Sequence, residues 1–440
     1  MATEEKSFFE KLKHWLRNSI TVKLFSIGII ILLLLIPAFM IESVIRDRQY
    51  TSESTVNEVG SKWGLEQTIT GPVITVPYTT VVKDEKNNSI TVTQYAHFLP
   101  EKLNVKGTAS TENRHRGIYE VVVYKSKLNF SGSFLLPKME ELNIDSRNIL
   151  WNDAYVEIGI SDMKGINENI ELKLNDAKYL MNPGISSADI VASGVSTKIK
   201  LTDSSRQFTY NFDLNLNGSR MLYFVPLGKE NNIELTSAYP TPSFDGSFIP
   251  DTREVSDKGF NAKWKVLHLN RNYPQQWTSN KFNVTSSAFG VNFLVAVDHY
   301  LKATRAAKYA ILIIALTFMG FFFVEIINKT RIHPFQYILV GLAICIFYAL
   351  LLAFSEHIGF NYAYILSSIL VLGAIAYYSK YMFANTRTTL LLSSVLVIIY
   401  GFIYVIIQLE DYALLMGSIG LFIVLLVTMH LSRKIKFYND

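Results

Sequence analysis

Two hydrophobic rhythms divide this chain. Six stretches are apolar almost throughout: residues 22–41, 306–327, 335–354, 362–379, 389–407 and 412–431. Each is about the 20 residues that a helix needs to cross hydrocarbon with its backbone hydrogen bonds satisfied internally. The first carries one charge, Lys23, the second carries Lys308 and Glu325 near its ends, and the other four contain no Lys, Arg, Asp or Glu. Between residues 42 and 305 the period changes to two. In residues 208–217, Phe208, Tyr210, Phe212, Leu214 and Leu216 alternate with polar neighbours, which predicts a strand with one wet face. Further strands are expected at 73–82, 90–98, 118–125, 127–135, 154–161, 170–174 and 197–201. Residues 221–225 should form a return strand after a turn at Gly218-Ser219, and residues 53–64 a short helix leading from the membrane.

These rhythms predict an α+β membrane protein with one transmembrane helix, a large all-β, sandwich-like domain of antiparallel strands (42–305), and a five-helix transmembrane bundle (306–431). Residues 1–21 and 432–440 flank them. Orientation follows Lys and Arg in the short loops. Lys6, Lys11, Lys13 and Arg17 precede the first span. Lys329, Arg331, Lys380, Arg387, Arg433, Lys434 and Lys436 fall at alternate ends of the later ones. The opposite loops hold Glu356, Glu410 and Asp411 but no Lys or Arg. Both termini are therefore expected in the cytoplasm and the β domain outside. Lys302, Arg305 and Lys308 run against the rule, but a long translocated domain escapes it. The first apolar run is longer than a signal-peptide core and lacks small residues at cleavage spacing, so an uncleaved anchor is expected.

Composition agrees with a lipid environment. Of 440 residues 18% are charged, and mean hydropathy is +0.20. A net charge of +5, much of it at membrane edges, gives no reason to expect nucleic acid. The single cysteine, Cys345, lies in an apolar run, so the exported domain has no disulfides, which suits a bacterial periplasm.

Catalytic spacing is scarce. The chain has no phosphate loop, no Gly-x-Ser-x-Gly elbow, no Cys-x-x-Cys and no paired-histidine helix, so neither metal nor cofactor is expected. The polar residues that remain as candidates sit at membrane edges: Glu325, His333, Glu356 and His357. An ionisable residue inside a span is a functional candidate by default. Glu325 lies near Lys329 and Arg331, which favours an interfacial carboxylate paired with a base over a proton relay. Glu356 beside His357 suggests a pH sensor or simply a polar helix end, and His333-Pro334 reads as a helix start. Arg114, His115 and Arg116 could meet an anionic ligand such as a lipid headgroup or could form a solvated turn. Aromatics of the exported region, Trp63 and Trp264 among them, are expected in its core.

Several stretches stand in a recognisable order and spacing: residues 306–319, Phe323-Val324-Glu325, residues 333–342 beginning His333-Pro334-Phe335, and residues 352–360, which include Ser355-Glu356-His357. Outside the spans they are joined by Gly71-Pro72-Val73-Ile74-Thr75-Val76-Pro77, residues 242–250 and Arg253-Glu254-Val255-Ser256. In these the chain resembles the CreD family of inner-membrane, cell-envelope-integrity proteins. The resemblance implies a multi-pass bacterial inner-membrane protein of the envelope stress response, with no enzyme activity and no catalytic residues to carry over. The expected partners are membrane lipids and an envelope component or periplasmic protein. The alternative is a transporter or lipid flippase working through the five-helix bundle. A lipid- or glycan-processing enzyme using Asp251 and Glu254 is a weaker third reading. Oligomeric state is not readable from the sequence.

Overall fold

The computed structural model describes residues 20–83, 86–201, 207–293, 298–328, 330–409 and 412–433. Lys6, Lys11, Lys13, Arg17, Lys329, Glu410, Asp411, Lys434 and Lys436, on which part of the orientation reading rests, lie outside these. The chain divides into two compact units. Residues 53–296 form one, and residues 1–52 with 297–440 form the other.

Seven α-helices are described: α1 (Ile20–Trp63), α2 (Asp298–Lys308), α3 (Ala310–Ile327), α4 (Pro334–Ile358), α5 (Phe360–Phe383), α6 (Thr386–Gln408) and α7 (Ala413–Ser432). All but α2 are long and apolar enough to cross a membrane. Two differences from expectation have physical reasons. First, α1 does not stop near residue 41. It runs for 44 residues, so the segment expected as a separate helix at 53–64 is its end. At about 1.5 Å per residue that is roughly 66 Å, about twice the hydrocarbon thickness. Glu42, Arg46 and Asp47 end the apolar composition without ending the helix, because charge does not break a helix. Pro37 lies inside it, in the apolar part where neighbouring groups can satisfy a freed carbonyl. Second, the span expected at 306–327 is two helices. Tyr309 stands between α2 and α3 outside helical geometry (φ −86°, ψ 2°).

Among the described residues the β unit contains 17 strands: β1 (Gln67–Lys83), β2 (Ser89–Phe98), β3 (Lys102–Arg116), β4 (Tyr119–Leu135), β5 (Tyr155–Ile160), β6 (Glu171–Leu174), β7 (Ala177–Leu180), β8 (Asn182–Pro183), β9 (Gly194–Lys198), β10 (Gln207–Ser219), β11 (Met221–Phe224), β12 (Glu230–Ser237), β13 (Ser243–Gly246), β14 (Thr252–Ser256), β15 (Gly259–Leu267), β16 (Gln276–Thr278) and β17 (Phe289–Asn292). They make a nine-stranded sheet in the order β13-β17-β11-β1-β5-β9-β8, with β2 on β1 and β16 on β2. The second, eight-stranded sheet runs β14-β15-β12-β3-β4-β10-β6-β7. One hydrophobic cluster takes side chains from both sheets, and ring contacts such as Phe130 with Phe224 and Trp264 with Phe289 cross between them. The unit is thus a sandwich over this main core, and a second, smaller cluster gathers Val73, Leu99, Val225, Leu227, Tyr273, Trp277 and Val284. Trp264 is in that core, whereas Trp63 is half-buried on α1.

Three strand expectations need correction. The strands expected at 118–125 and 127–135 are one long strand, β4 (Tyr119–Leu135). The break between them, Ser126, is buried and its hydroxyl donates to the Leu216 carbonyl, so a polar residue sits inside without interrupting the ladder. β11 does not return along β10. It crosses to the other sheet, parallel to β1 (Gln67 opposite Leu222) and antiparallel to β17. β3, which pairs with β4 over its whole length, was not expected at all. The sheets are also not purely antiparallel, since β3 and β12 are parallel from Lys102/Glu230 to Ala109/Ser237.

Candidate functional site

Glu325, in the last turn of α3, is 3% exposed. Its carboxylate is saturated from three directions. Lys23 of α1 forms an ion pair with Oε1, the Ile332 backbone N–H donates to the same oxygen at 2.8 Å, and the Tyr337 hydroxyl of α4 donates to Oε2 at 3.0 Å. A buried carboxylate is tolerable only when paired and hydrogen-bonded. This one joins α1, α3 and α4 at a single point. The base paired with it is Lys23, 302 residues away in sequence. Phe318 and Phe321 pack edge-on against the Tyr337 ring and fix its hydroxyl toward the carboxylate.

His333 and Pro334 begin α4. The Phe335 N–H donates to His333 Nδ1 at 3.2 Å, and the His333 N–H donates to Gln336 Oε1 at 2.9 Å. The imidazole is a helix cap, and Pro334 occupies the first turn where its missing N–H costs nothing.

At the other end of α4, Glu356 accepts from the Tyr300 hydroxyl of α2 at 3.0 Å and lies 4.0 Å from Arg48 Nε of α1. His357 is exposed, and among the described residues no hydrogen bond or ion pair joins it to Glu356. Successive side chains on a helix point about 100° apart, which separates the two. Glu325 and Glu356 therefore tie α1 to the bundle near both ends of the membrane-spanning part.

Arg114, His115 and Arg116 lie at the end of the β3–β4 hairpin. The Arg114 guanidinium sits 3.8 Å over the Trp63 ring, Arg116 Nη2 is 2.8 Å from Glu58, and His115 is exposed. Two of the three are thus engaged with the end of α1.

Sequence reading missed a buried polar network in the β unit. Thr75 (β1) and His97 (β2) are fully buried, and Glu157 (β5) is 5% exposed. The Thr75 hydroxyl donates to Glu157 Oε2 at 2.6 Å and lies 3.1 Å from His97 Nδ1. His97 Nε2 is 3.1 Å from Asp189 Oδ2. Glu157 Oε1 accepts from the backbone N–H and hydroxyl of Ser186, at 2.6 and 2.5 Å. The order Thr-His-Asp is that of a nucleophilic triad, but the hydroxyl and imidazole are sealed in, and what the network does here is fasten residues 186–189 onto the sheet. Burial pushes the imidazole pKa below its ordinary value, against the upward pull of Asp189 and Glu157. Among the described residues no three His, Cys, Asp or Glu side chains are gathered as a metal would require.

The eight-stranded sheet also carries a depression of about 370 Å³ on its outer face, lined by Asn104, Lys106, Asn232, Glu234, Asp251 and Lys263 among others. Asn232 donates to Asn104 at 3.1 Å, and Lys263 pairs with Glu234 at 3.0 Å.

The family model for "Inner membrane protein CreD" matches residues 19–438. The inner membrane protein CreD of Escherichia coli strain K12 is 34% identical over 431 residues, covering 96% of this chain and 95% of that protein.

Proposed function

Because the chain belongs to the CreD family of inner membrane proteins, we propose that it is a non-enzymatic protein of cell-envelope integrity whose β unit binds a polar envelope component or a periplasmic protein. The observation that carries the reading is the depression on the eight-stranded sheet. Its amides, carboxylate and ammonium groups face outward as donors and acceptors, the chemistry that recognises a hydrated polymer or a polar protein surface. The candidate residues of the spans support a non-catalytic role, since Glu325 and Glu356 are occupied in holding helices. In this reading both termini are cytoplasmic and the β unit is periplasmic.

The test is photo-crosslinking in living cells, with a photoreactive residue at Asn104 or Asn232 of the full chain. A discrete adduct, lost when Lys106 and Lys263 are both changed to Glu, supports the proposal. Crosslinks indistinguishable from those at β7, the opposite edge strand of the same sheet, would refute it.

A further inference from the structure

The outer face of the eight-stranded sheet is built against strand preference. Side chains alternate across a strand, so residues in register on neighbouring strands form rows across the face. One row runs Lys265 (β15), Asn232 (β12), Asn104 (β3), Ser131 (β4), Asn211 (β10) and Lys173 (β6). Asn129, Asn215, Asn217 and Asn261 point the same way from adjoining rows. All seven asparagines are half-buried. Asparagine is depleted in strands, and threonine would keep the face wet at lower cost. Strand formation therefore does not account for the amides.

The depression described above is centred on this row. Asn232 Nδ2 donates to Asn104 Oδ1 at 3.1 Å. Among the described residues the Asn104 amide nitrogen and the Asn232 amide oxygen have no partner of their own. A donor and an acceptor side by side match adjacent hydroxyls, each of which donates and accepts. The charges here are neutralised within the face. Lys263 is 3.0 Å from Glu234 and Lys265 is 3.8 Å from Glu230, which disfavours a polyanion. The row advances about 4.8 Å per strand, close to the advance of one sugar ring in an extended glycan.

We infer that this face binds an extended, uncharged glycan laid across β15, β12, β3, β4 and β10, with about one sugar per strand. The inference rests on the reading that the β unit recognises an envelope component at this depression, and names its class. No member of the row is aromatic, so each sugar adds hydrogen bonds rather than ring stacking, and affinity grows with chain length.

The test is calorimetric titration of the full-length protein in lipid nanodiscs with the disaccharide and the hexasaccharide of N-acetylglucosamine, and with polyphosphate. The hexasaccharide should bind about tenfold more tightly than the disaccharide. Its affinity should change little between low and high salt, because no counterions are displaced. Asn104→Val combined with Asn232→Val removes both amides while suiting a strand, and should weaken the hexasaccharide by about tenfold. Ser131→Val, in the same floor, should weaken it too and serves if the double variant does not fold, as judged by circular dichroism. Equal binding of the two oligosaccharides would overturn the inference, as would a hexasaccharide indifferent to both variants. So would tighter binding of polyphosphate that falls steeply with salt. An Asn104 crosslink to a protein in cells, with no hexasaccharide binding, would refute the glycan and leave the underlying reading standing. Absence of both the hexasaccharide and any discrete adduct would remove the two together.

Discussion

Replacing Glu325 by Ala tests the helix junction where its energetics are simplest to follow. The carboxylate accepts from Lys23, from the Ile332 N–H and from the Tyr337 hydroxyl. Lys23 is 31% exposed and can recover solvent, so its loss is the smaller part. Tyr337 is 2% exposed, and the Ile332 N–H belongs to a residue 4% exposed. Two donors left unpaired in such surroundings cost about 1–3 kcal/mol each. Together they amount to about 2–6 kcal/mol, which brackets the roughly 3–5 kcal/mol found when a buried pair loses one member. Glu325→Gln keeps an acceptor for both donors and should cost about 1–2 kcal/mol. Lys23→Met should cost less than Glu325→Ala, and in combination with Glu325→Gln its effect should shrink by about 1 kcal/mol or more, the coupling expected of groups in contact. The assay is denaturant unfolding of the full chain in lipid nanodiscs, followed by tryptophan fluorescence and helical circular dichroism. Glu325→Ala within about 0.5 kcal/mol of wild type would refute the reasoning, and so would strict additivity of Lys23→Met and Glu325→Gln.

Three other perturbations have defined outcomes. Because burial depresses the His97 pKa, the unfolded chain takes up its proton first. Stability should therefore fall as pH drops through the ordinary imidazole range, about 6.5, and level off below the folded value. His97→Gln should flatten that slope in melts taken between about pH 7.5 and 5.5, and parallel slopes would contradict it. Gly259 has φ +125°, and a Cβ there would overlap the Ser237 carbonyl oxygen. Gly259→Ala should thus cost about 3 kcal/mol, whereas Gly117→Asn, at φ +62° in open space, should cost under about 1 kcal/mol in the same unfolding assay. Trp63→Ala removes the ring under Arg114 and a donor to the Tyr124 carbonyl, so amide exchange in residues 110–122 should quicken far more than in Arg116→Gln, which loses only an exposed pair.

The sequence disclosed what depends on local pattern. Lipid accepts only long apolar helices, so the spans stood out, and β10 was visible because its buried positions are Phe, Tyr and Leu. β3 has the same alternation, but after Leu103 and Val105 its buried positions are Gly107 and Ala109, and a Cβ at 107 would press on the Leu128 side chain. Small residues erase the hydrophobic signal while the packing stays tight. The turn expected at Gly218-Ser219 lies inside β10, which pairs with β4 as far as Ser219, and the chain bends at Arg220 (φ +64°); β11 then pairs with β1, some 150 residues earlier, and alternation names no partner. The two buried polar clusters were hidden for the same reason. Glu325 was marked by its place in a span, but its base is at the other end of the chain. Thr75, His97, Glu157 and Asp189 have no short spacing among them, and only the sheet brings them together.

The central claim is that hydrophobic helices hold this chain in the inner membrane with the β unit exposed on the outer side. It is tested most directly by labelling intact spheroplasts with a membrane-impermeant maleimide, in a chain whose buried Cys345 is replaced by Ala. One cysteine is then introduced at exposed Val255 of β14 or at Ser432, at the end of α7. Val255→Cys should react at once and Ser432→Cys only after the membrane is permeabilised; the reverse order, or equal reactivity at both positions in intact cells, would contradict the account.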